Sequence, residues 1–388
     1  MEGATAFAGE PEPRATEHRR ALHRMPEIGI DLPDTLAYVR KTLRDAGLEP
    51  HDCGPGIICD IGSTGPLVAL RADMDALPVT EETGLPFSSE RPGAMHACGH
   101  DAHMAALLTA AELLAARPPA AYRVRLLFQP GEEGEFGAPA MIAAGCLEGV
   151  SAIAGGHVGN LSDELLPGQV GFMRGAMMAA SDRFRGAFHG SGGHGSAPHQ
   201  AADPIPALAQ FVSGAYSLRS RAFDQREPLV ISVCQVEAGS AFNVIPSDAA
   251  FKGTVRTLDA KLRAAAREGL ERLCAGTAEA CGVRGEFEWL DGYPPLVNEP
   301  AAVGACSAAA RKLLGESAVV DMTVPSMGGE DFAYYLERVP GCFWFMNTQN
   351  PSRGMDKPNH HPRFDLDESC LGTAVRLHLA LAEALASL

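Results

Sequence analysis

The sequence contains no run of about 20 apolar residues, the length that a membrane-spanning helix requires. Basic residues are in the minority: 32 Lys and Arg stand against 48 Asp and Glu, and the net charge of −16 argues against nucleic-acid or anionic-membrane partners. Residues 1–13 lack the basic start and apolar core of a signal peptide, so a cytoplasmic location is expected. The 10 cysteines are scattered through apolar segments, which predicts buried thiols and no disulfide framework.

What is present is the composition of a globular enzyme, with 46% hydrophobic and 21% charged residues. A chain of 388 residues exceeds one compact core, which predicts two domains or one domain with a large insertion. After a loose, polar start, helical and strand patterns alternate, which indicates a doubly wound α/β domain with a mostly parallel sheet. The predicted elements are a helix over 34–46, a strand over 67–70, a helix over 100–116, and strands over 124–128 and 152–156.

The middle of the chain has a different pattern, in which strands and helices follow the order β-α-β-β-α-β of a ferredoxin-like unit. The predicted elements are strands over 184–189, 229–236, 249–255 and 285–290, with helices over 204–218 and 259–280. We therefore expect a catalytic domain formed by residues 1–182 and 297–388, with an α+β domain inserted at 183–296.

Ionisable side chains follow the predicted strands of the first domain, where open α/β sheets usually carry their sites. The densest group is Met95 to His103, with three histidines, one cysteine and one aspartate, all of them donors for zinc, manganese or cobalt. A single histidine would more often be an ordinary buried residue, but this cluster at a strand-to-helix junction favours a metal site.

Glu132 and Glu133 follow a predicted strand and a Pro-Gly turn. Adjacent carboxylates in a solvent-exposed loop usually have no role. Metal hydrolases, however, need one carboxylate on the ion and another to take a proton from water, and neighbouring residues can divide these tasks.

His157 ends another apolar strand, and His360 and His361 lie in a loop punctuated by proline. Each alone is more readily explained as a structural histidine. Counted with Cys98, His100 and Glu133, however, His157 and His360 exceed the needs of one tetrahedral ion and indicate two metal ions.

The inserted domain holds three further candidates. His194 lies in a glycine-rich loop and could donate to an oxyanion. Asn243 offers an amide, and Arg256 offers a guanidinium suited to a substrate carboxylate, although surface solvation explains Arg256 equally well. The Gly-rich segment 327–332 fits either a ligand cradle or a tight turn.

Taken together and in order, these segments resemble the dinuclear metal amidohydrolases of the hippurate hydrolase and indole-acetyl-amino-acid hydrolase type. That group is a branch of the aminoacylase and carboxypeptidase G family. The segments that carry the resemblance are His23-Arg-Met-Pro-Glu27, Arg71-Ala-Asp-Met-Asp-Ala-Leu-Pro78, Cys98-Gly-His100, Gln129-Pro-Gly-Glu-Glu133, Gly328-Gly-Glu-Asp-Phe332 and His360-His-Pro-Arg-Phe-Asp365.

The resemblance implies hydrolysis of the amide bond of a small N-acyl amino acid by two divalent ions, manganese or zinc, with cobalt and nickel also suited to these ligands. It also implies a homodimer paired through the inserted domain, which would act as a lid. The implied metal ligands are Cys98, His100, Glu133, His157 and His360.

The remaining implied roles belong to residues around the ions. Glu132 is the implied general base, which takes a proton from water and returns it to the leaving amine. His194 would polarise the scissile carbonyl, Asp75 would orient a ligand, and Asn243 and Arg256 would contact substrate.

This chain departs from the family pattern at two places. Gly131 replaces the usual small residue before the glutamate pair, which we expect to be harmless. The segment after His157 lacks the frequent aromatic-proline pair, which we expect to reshape the acyl pocket. In the His-x-Pro pattern, His360 is favoured over His361 as the ligand.

Three rival interpretations differ from an amidohydrolase in testable ways. A metallo-dipeptidase needs an acid for the substrate ammonium, and no candidate stands out. A family member that binds its ligand without catalysis would be expected to have lost a metal-binding residue or Glu132, and all of these residues are present. A structural zinc site usually has short ligand spacings such as C-x₂-C, which this sequence lacks.

Overall fold

The structure is a computed structural model that describes residues 10–388. Residues 1–9, on which the expectation about a signal peptide partly rests, lie outside the described residues. The helices are α1 Glu12–His23, α2 Pro33–Asp45, α3 His100–Ala116, α4 Gly137–Ala143, α5 Pro204–Arg221, α6 Ala260–Cys281, α7 Pro300–Leu314, α8 Ala333–Leu336 and α9 Leu371–Leu385.

The strands, which are numbered separately, are β1 His51–Cys53, β2 Gly56–Ile61, β3 Leu67–Asp73, β4 Arg123–Gln129, β5 Val150–Val158, β6 Val170–Phe172, β7 Gly175–Met178, β8 Ala180–His189, β9 Gly193–His194, β10 Leu229–Ala238, β11 Val244–Ile245, β12 Asp248–Thr257, β13 Arg284–Tyr293, β14 Leu296–Asn298, β15 Val319–Asp321 and β16 Gly341–Met346.

The chain divides into two compact units. Unit one comprises the described part of Met1–Gly175, with Val297–Pro325 and Asp331–Leu388; unit two comprises Ala176–Leu296 and Ser326–Glu330. The role of residues 183–296 as a separate lid and dimerisation domain stays a prediction.

Unit one is built on one sheet in the order β1-β2-β4-β3-β5-β16-β6-β15. The pairs β3-β4, β3-β5, β5-β16 and β6-β15 are parallel, whereas β1-β2, β2-β4 and β6-β16 are antiparallel. The predicted α/β class with a mostly parallel sheet is therefore confirmed. Because β4, β3 and β5 are parallel neighbours, their carboxyl ends meet at one edge of the sheet.

Every residue of β3 is buried, as expected for a central strand flanked by parallel neighbours. Its first residues, Leu67 to Leu70, are apolar, but Arg71 and Asp73 follow in the same buried strand. Such charges require partners in the interior, and those partners lie beside the site.

Helix α3 has the bounds that the sequence predicted, and it begins at the same edge of the sheet. It is buried along most of its length because it is rich in Ala and Leu. Gly99 precedes it with φ +87°, and a Cβ atom there would lie 2.9 Å from Cγ2 of Val158. Only glycine allows this approach, which places His100 next to the end of β5.

The prediction of a loose start is wrong, since Glu12–His23 forms α1. The helix was missed because part of its buried face is polar and leaves a weak apolar stripe. His18, Arg19 and His23 are each about 1% exposed, and they are paired with carboxylates. Hydrophobic periodicity cannot detect a helix that is buried through ion pairs.

Unit two contains an antiparallel sheet in the order β10-β12-β8-β13, against which α5 and α6 pack. Its core is rich in phenylalanine, with Phe211 stacked on Phe251 at 4.1 Å between ring centroids. The predicted β-α-β-β-α-β order is present, with an additional two-stranded ribbon formed by β9 and β11.

Across residues 10–388, none of the helices combines the length and the apolar character needed to pass through a bilayer.

Candidate active site

The edge where β3, β4 and β5 end brings together the predicted ligands from four separate segments. The sulfur of Cys98 lies 3.3 Å from Nε2 of His157 and 3.3 Å from Nε2 of His360. Nε2 of His360 also lies 3.2 Å from Oε1 of Glu133. His100 shares the cluster, with its ring centroid 5.8 Å from that of His157.

These side chains form overlapping sets whose donor atoms lie within 4.8 Å of one another. The sets are Cys98 with His100 and His157, Cys98 with Glu133 and His360, and His100 with Glu132 and Glu133. Because Cys98 belongs to two sets, the arrangement fits two divalent ions better than one.

Unsatisfied polar atoms support this fit. Both ring nitrogens of His100 are buried without a hydrogen bond of suitable geometry. Leaving such atoms without a partner costs about 1–3 kcal/mol each, a penalty that bound cations would remove. The residues present are therefore suited to hold metal ions.

The orientation of His157 is set by its backbone neighbour. Nδ1–H donates to the carbonyl oxygen of Val158 at 2.8 Å, which leaves the lone pair on Nε2 facing Cys98. This is the tautomer that a metal-binding imidazole needs.

Asp75 connects the glutamate pair to the histidine cluster. Its two carboxylate oxygens accept the backbone N–H groups of Glu132 at 3.0 Å and Glu133 at 2.9 Å. Oδ1 also lies 3.4 Å from Nδ1 of His100. The predicted role of Asp75 in orienting a ligand agrees with this position and stays a prediction.

Gly131 gives the turn before Glu132 its shape. Its φ of +72° lies in the left-handed region, where glycine carries no steric penalty. A Cβ atom there would approach the side chains of Glu135 and Ile30 to 3.2 and 3.3 Å. The departure that the sequence showed at this position therefore suits the turn.

His360 is one of two non-glycine residues with positive φ among residues 10–388, at +69°. Its backbone N–H donates to the carbonyl of Ala97 at 2.7 Å, which holds the loop beside Cys98. The ring of His361 instead accepts from the backbone N–H of Arg363. Strained backbone of this kind costs about 1–3 kcal/mol and is frequent at functional sites.

Charge interactions dominate the cluster despite its burial. Burial alone would lower the pKa of His100, but Asp73, Asp75 and Cys98 together outweigh burial and hold the pKa well above its usual value. Hydrogen bonds to Cys98 and Glu133 raise the pKa of His360 to about 10.

Directly behind the site lies a buried network to which no role was assigned from the sequence. Arg71, 1% exposed, forms ion pairs with Asp73 at 2.5 Å and Asp331 at 3.0 Å. The side chain of Gln129 donates to Asp331 at 2.8 Å. Burial raises the pKa of Asp331 to about 6, although Arg71 opposes the shift. Charged residues inside an otherwise apolar strand were the signal that could have revealed the network.

The segment from His23 to Glu27 also contacts residues next to the site. His23 Nδ1 lies 2.8 Å from Oδ2 of Asp101, the residue after His100. Glu27 accepts the backbone N–H of Thr35 at 2.8 Å, which anchors the start of α2. The contacts of this motif, which is one of those that carry the family resemblance, are thus consistent with a role in supporting the site.

In unit two, His194 lies on the ribbon of β9 and β11, and Asn243 immediately precedes β11. His194 pairs with Val244, and the N–H of Gly195 donates to the carbonyl of Asn243 at 2.9 Å. Nδ1 of His194 accepts the backbone N–H of Ser196 at 3.1 Å, which places the proton of the neutral ring on the exposed Nε2. Nε2–H is therefore available as a donor.

Arg256 lies on β12 of unit two, opposite Ser181 of β8 and Val230 of β10. It is partly buried, and burial lowers its pKa while Asp182 opposes that shift. Within residues 10–388 its guanidinium has no hydrogen bond or ion pair. A partly desolvated cation that forms no ion pair is a suitable receptor for a carboxylate ligand.

Comparison with known proteins places this geometry in a family. Residues 69–384 match the model of peptidase family M20/M25/M40. An N-acetylcysteine deacetylase of Bacillus subtilis is 39% identical over 95% of this chain and 96% of its own length. Thermostable carboxypeptidase 1 of Saccharolobus solfataricus is 37% identical over 94% of this chain and 93% of its own.

A solved structure gives the same result. The YXEP protein of Bacillus subtilis, described as a dinuclear metal binding peptidase from the M20 family, has a TM-score of 0.82 and 36% identity. The match covers 96% of this chain and 97% of that one. The resemblance drawn from the sequence is confirmed: the chain belongs to peptidase family M20/M25/M40.

Proposed function

We propose that this protein hydrolyses the amide bond of N-acyl amino acids and releases a carboxylic acid and the free amino acid. The observation that carries the proposal is the buried cluster around Cys98, with Glu132 beside it at the carboxyl edge of the sheet. The M20 membership and the deacetylase relative support the same reaction class.

In this proposal the cluster holds two divalent ions, with manganese or zinc as the first choices. When bound, such ions supply Lewis acidity, which lowers the pKa of water and polarises a carbonyl oxygen. The proposed ligands are Cys98, His100, Glu133, His157 and His360.

Glu132 is the proposed general base. It is 5% exposed, and its carboxylate is close to the donor atoms of His100 and Glu133. Its backbone is fixed through Asp75, so the carboxylate is presented in one place. Glu132 takes the proton of the attacking water, holds it on a carboxylate oxygen, and delivers it to the nitrogen of the leaving amine.

The other proposed roles belong to residues of unit two. The exposed Nε2–H of His194 donates to the carbonyl oxygen as negative charge develops there. Asn243, directly before β11 of the same ribbon, binds a polar group of the substrate. Arg256 pairs with the carboxylate of the amino-acid half, which would orient the scissile bond.

Replacing Arg256 with glutamine is expected to lower kcat/KM for N-acyl amino acids by about 10–100-fold, mainly through KM. The reason is that a charge-assisted hydrogen bond contributes about 1.5–3 kcal/mol. Steady-state kinetics on an acyl amino acid and on its carboxamide would measure this, since only the acid should lose affinity.

The matched control is Lys252→Gln, which removes an exposed cation from the same strand. It should leave both substrates unaffected. An equal loss for the acid and the carboxamide in Arg256→Gln would contradict the assignment of Arg256 to the carboxylate.

We further propose that two copies pair through unit two. The edge strand β10 exposes Val230 and Val236, at 39% and 57%, whereas the opposite edge strand β13 exposes the charged Glu286 and Glu288. Charges usually protect a free edge, so the apolar edge is the one suited to strand pairing. Antiparallel pairing of β10 with its own copy fits a two-fold dimer.

Replacing Val236 with lysine should therefore weaken the dimer, because it places a charged ammonium group in the apolar contact between the two strands. Light scattering over a concentration series would show a dimer for the natural chain and a shift to monomer for the variant. Val230→Lys tests the other end of the strand. A monomer for the natural chain at micromolar concentration would overturn the pairing.

The function is tested by amine release from a panel of N-acyl amino acids and dipeptides, with chelated protein reloaded with manganese or zinc. N-acetyl amino acids come first, because the deacetylase relative is named for such a substrate. Metal-restored cleavage of these compounds supports the proposal. Cleavage of peptides alone would favour the second candidate, a metallopeptidase, which the carboxypeptidase relative supports.

A further inference from the structure

His103 belongs to the histidine cluster, yet both of its ring nitrogens are already engaged. Nδ1 lies 2.5 Å from Oδ1 of Asp73, and Nε2 lies 2.9 Å from the backbone nitrogen of Val158. The N–H of Val158 can only donate, so Nε2 carries a lone pair and the proton is on Nδ1. The ring is 5% exposed and its tautomer is fixed by these two contacts.

This engagement excludes His103 as a metal ligand. Asp73, His100 and His103 form another set with donor atoms within 4.8 Å, which could suggest a third ion. Asp73, however, is also paired with Arg71 at 2.5 Å. A cation there would need to displace a guanidinium and a backbone hydrogen bond together, so the set is better described as hydrogen-bonded.

The contact with Val158 links His103 to a proposed ligand. The same Val158 whose N–H donates to His103 accepts Nδ1–H of His157 through its carbonyl oxygen at 2.8 Å. The side-chain amide of Asn359 donates to that oxygen at 3.2 Å. His103 thus holds the stretch of backbone that sets the ring orientation of His157.

Direct packing acts in the same direction. The rings of His103 and His157 are arranged edge to face, with centroids 4.7 Å apart and planes at 79°. The ring of His157 therefore cannot turn freely without displacing His103. Asp73 is held by Arg71, so the arrangement has a rigid base in β3.

We propose that His103 is a positioning residue that fixes the imidazole of His157 for metal binding, through the Val158 backbone and through ring packing. The inference rests on the proposed metal centre. Partners of this kind typically contribute 10–100-fold to metal affinity, and we expect a loss of about that size for the ion that His157 holds.

Asparagine and glutamine at position 103 test the two hydrogen bonds of His103 separately. Asparagine at position 103 places an amide near Nδ1 and can still donate to Asp73, but it cannot reach Val158. Glutamine places its amide oxygen near Nε2 and retains an acceptor for the N–H of Val158. We therefore expect His103→Asn to lose affinity and His103→Gln to recover most of it.

The measurement is metal content and affinity, by competition with a chelator for zinc, together with the absorption spectrum of the cobalt-loaded protein. The control is His18→Asn, a buried histidine of α1 whose ring contacts Tyr38 at 2.8 Å. It removes a comparable imidazole far along the chain from the proposed ligands. Thermal unfolding of each metal-free variant reports any general loss of stability.

Each outcome decides a separate question. Two ions on the natural chain, with one weakened by about 10–100-fold in His103→Asn and restored in His103→Gln, support the inference. Natural affinity and an unchanged cobalt spectrum in both variants overturn it, and so does an equal loss in His18→Asn. If the natural chain does not bind two metal ions, the proposed metal centre itself is overturned.

If His103→Asn does not fold, a natural-like spectrum and affinity in His103→Phe, which keeps a ring without nitrogens, overturns the inference.

Discussion

Replacing Glu132 with glutamine is expected to lower kcat by about 10²–10⁴-fold while both metal ions stay bound. The amide has nearly the same shape as the carboxylate, and the backbone contact to Asp75 is untouched by the change. What is lost is the ability to take a proton from water and to return it to the leaving amine. The measurement is kcat for an N-acyl amino acid, alongside metal content by elemental analysis.

Two neighbouring carboxylates serve as controls for this prediction. Glu135→Gln changes an exposed carboxylate three positions along and should leave kcat unaffected. Glu133→Gln should lower metal content as well as kcat, because Glu133 shares a ligand set with Cys98 and His360. If Glu132→Gln retained kcat within about threefold, the base would have to be sought elsewhere, since such a base normally contributes at least 10²-fold.

The sequence predicted the edge of the sheet that holds the site, because strands with strong apolar runs end in ionisable residues. Strand β5 ends at the predicted His157, and α3 begins at the predicted His100. These signals are local, since each depends on a few adjacent residues. The ligand role of His360 beside Cys98, however, was implied by the family resemblance, since 262 positions separate the two residues and no local pattern connects them.

What the sequence did not predict was how the site is supported. His103 was one histidine among three in the cluster, and no local pattern distinguishes a ligand from a residue that holds a ligand. The difference depends on Asp73 and on the backbone of Val158, which approach His103 only after the sheet has formed. Long-range hydrogen bonds of this kind leave no periodic trace along the chain.

The same reason explains why α1 was missed although α2 was predicted. The helix α2 has an apolar stripe that includes Val39 and Leu43. In α1, Arg19 is buried by pairing with Asp101 and with Asp365, a residue near the other end of the chain. A buried face built from charges can be recognised only when its distant partners are known.

Replacing Arg71 with methionine is expected to destabilise unit one by about 3–5 kcal/mol, because it leaves buried carboxylates without their counter-charge. Asp73 and Asp331 are both 0% exposed, and Arg71 contacts each of them. Methionine fills a similar length without charge, so the expected loss comes from electrostatics more than from packing. Urea unfolding of the metal-free protein would measure the change.

The control is Arg24→Met, which removes an arginine that is 47% exposed and paired with Glu90 at 3.2 Å. A surface pair of this kind contributes about 0–1 kcal/mol, so this variant should unfold close to the natural chain. The double variant Arg71→Met with Asp331→Asn should recover part of the loss, because it removes one unpaired charge and lets Gln129 keep an amide partner. Equal stability of Arg71→Met and Arg24→Met would mean that Asp73 and Asp331 are protonated or hydrated in solution, and the network behind the site would then not support it through charge.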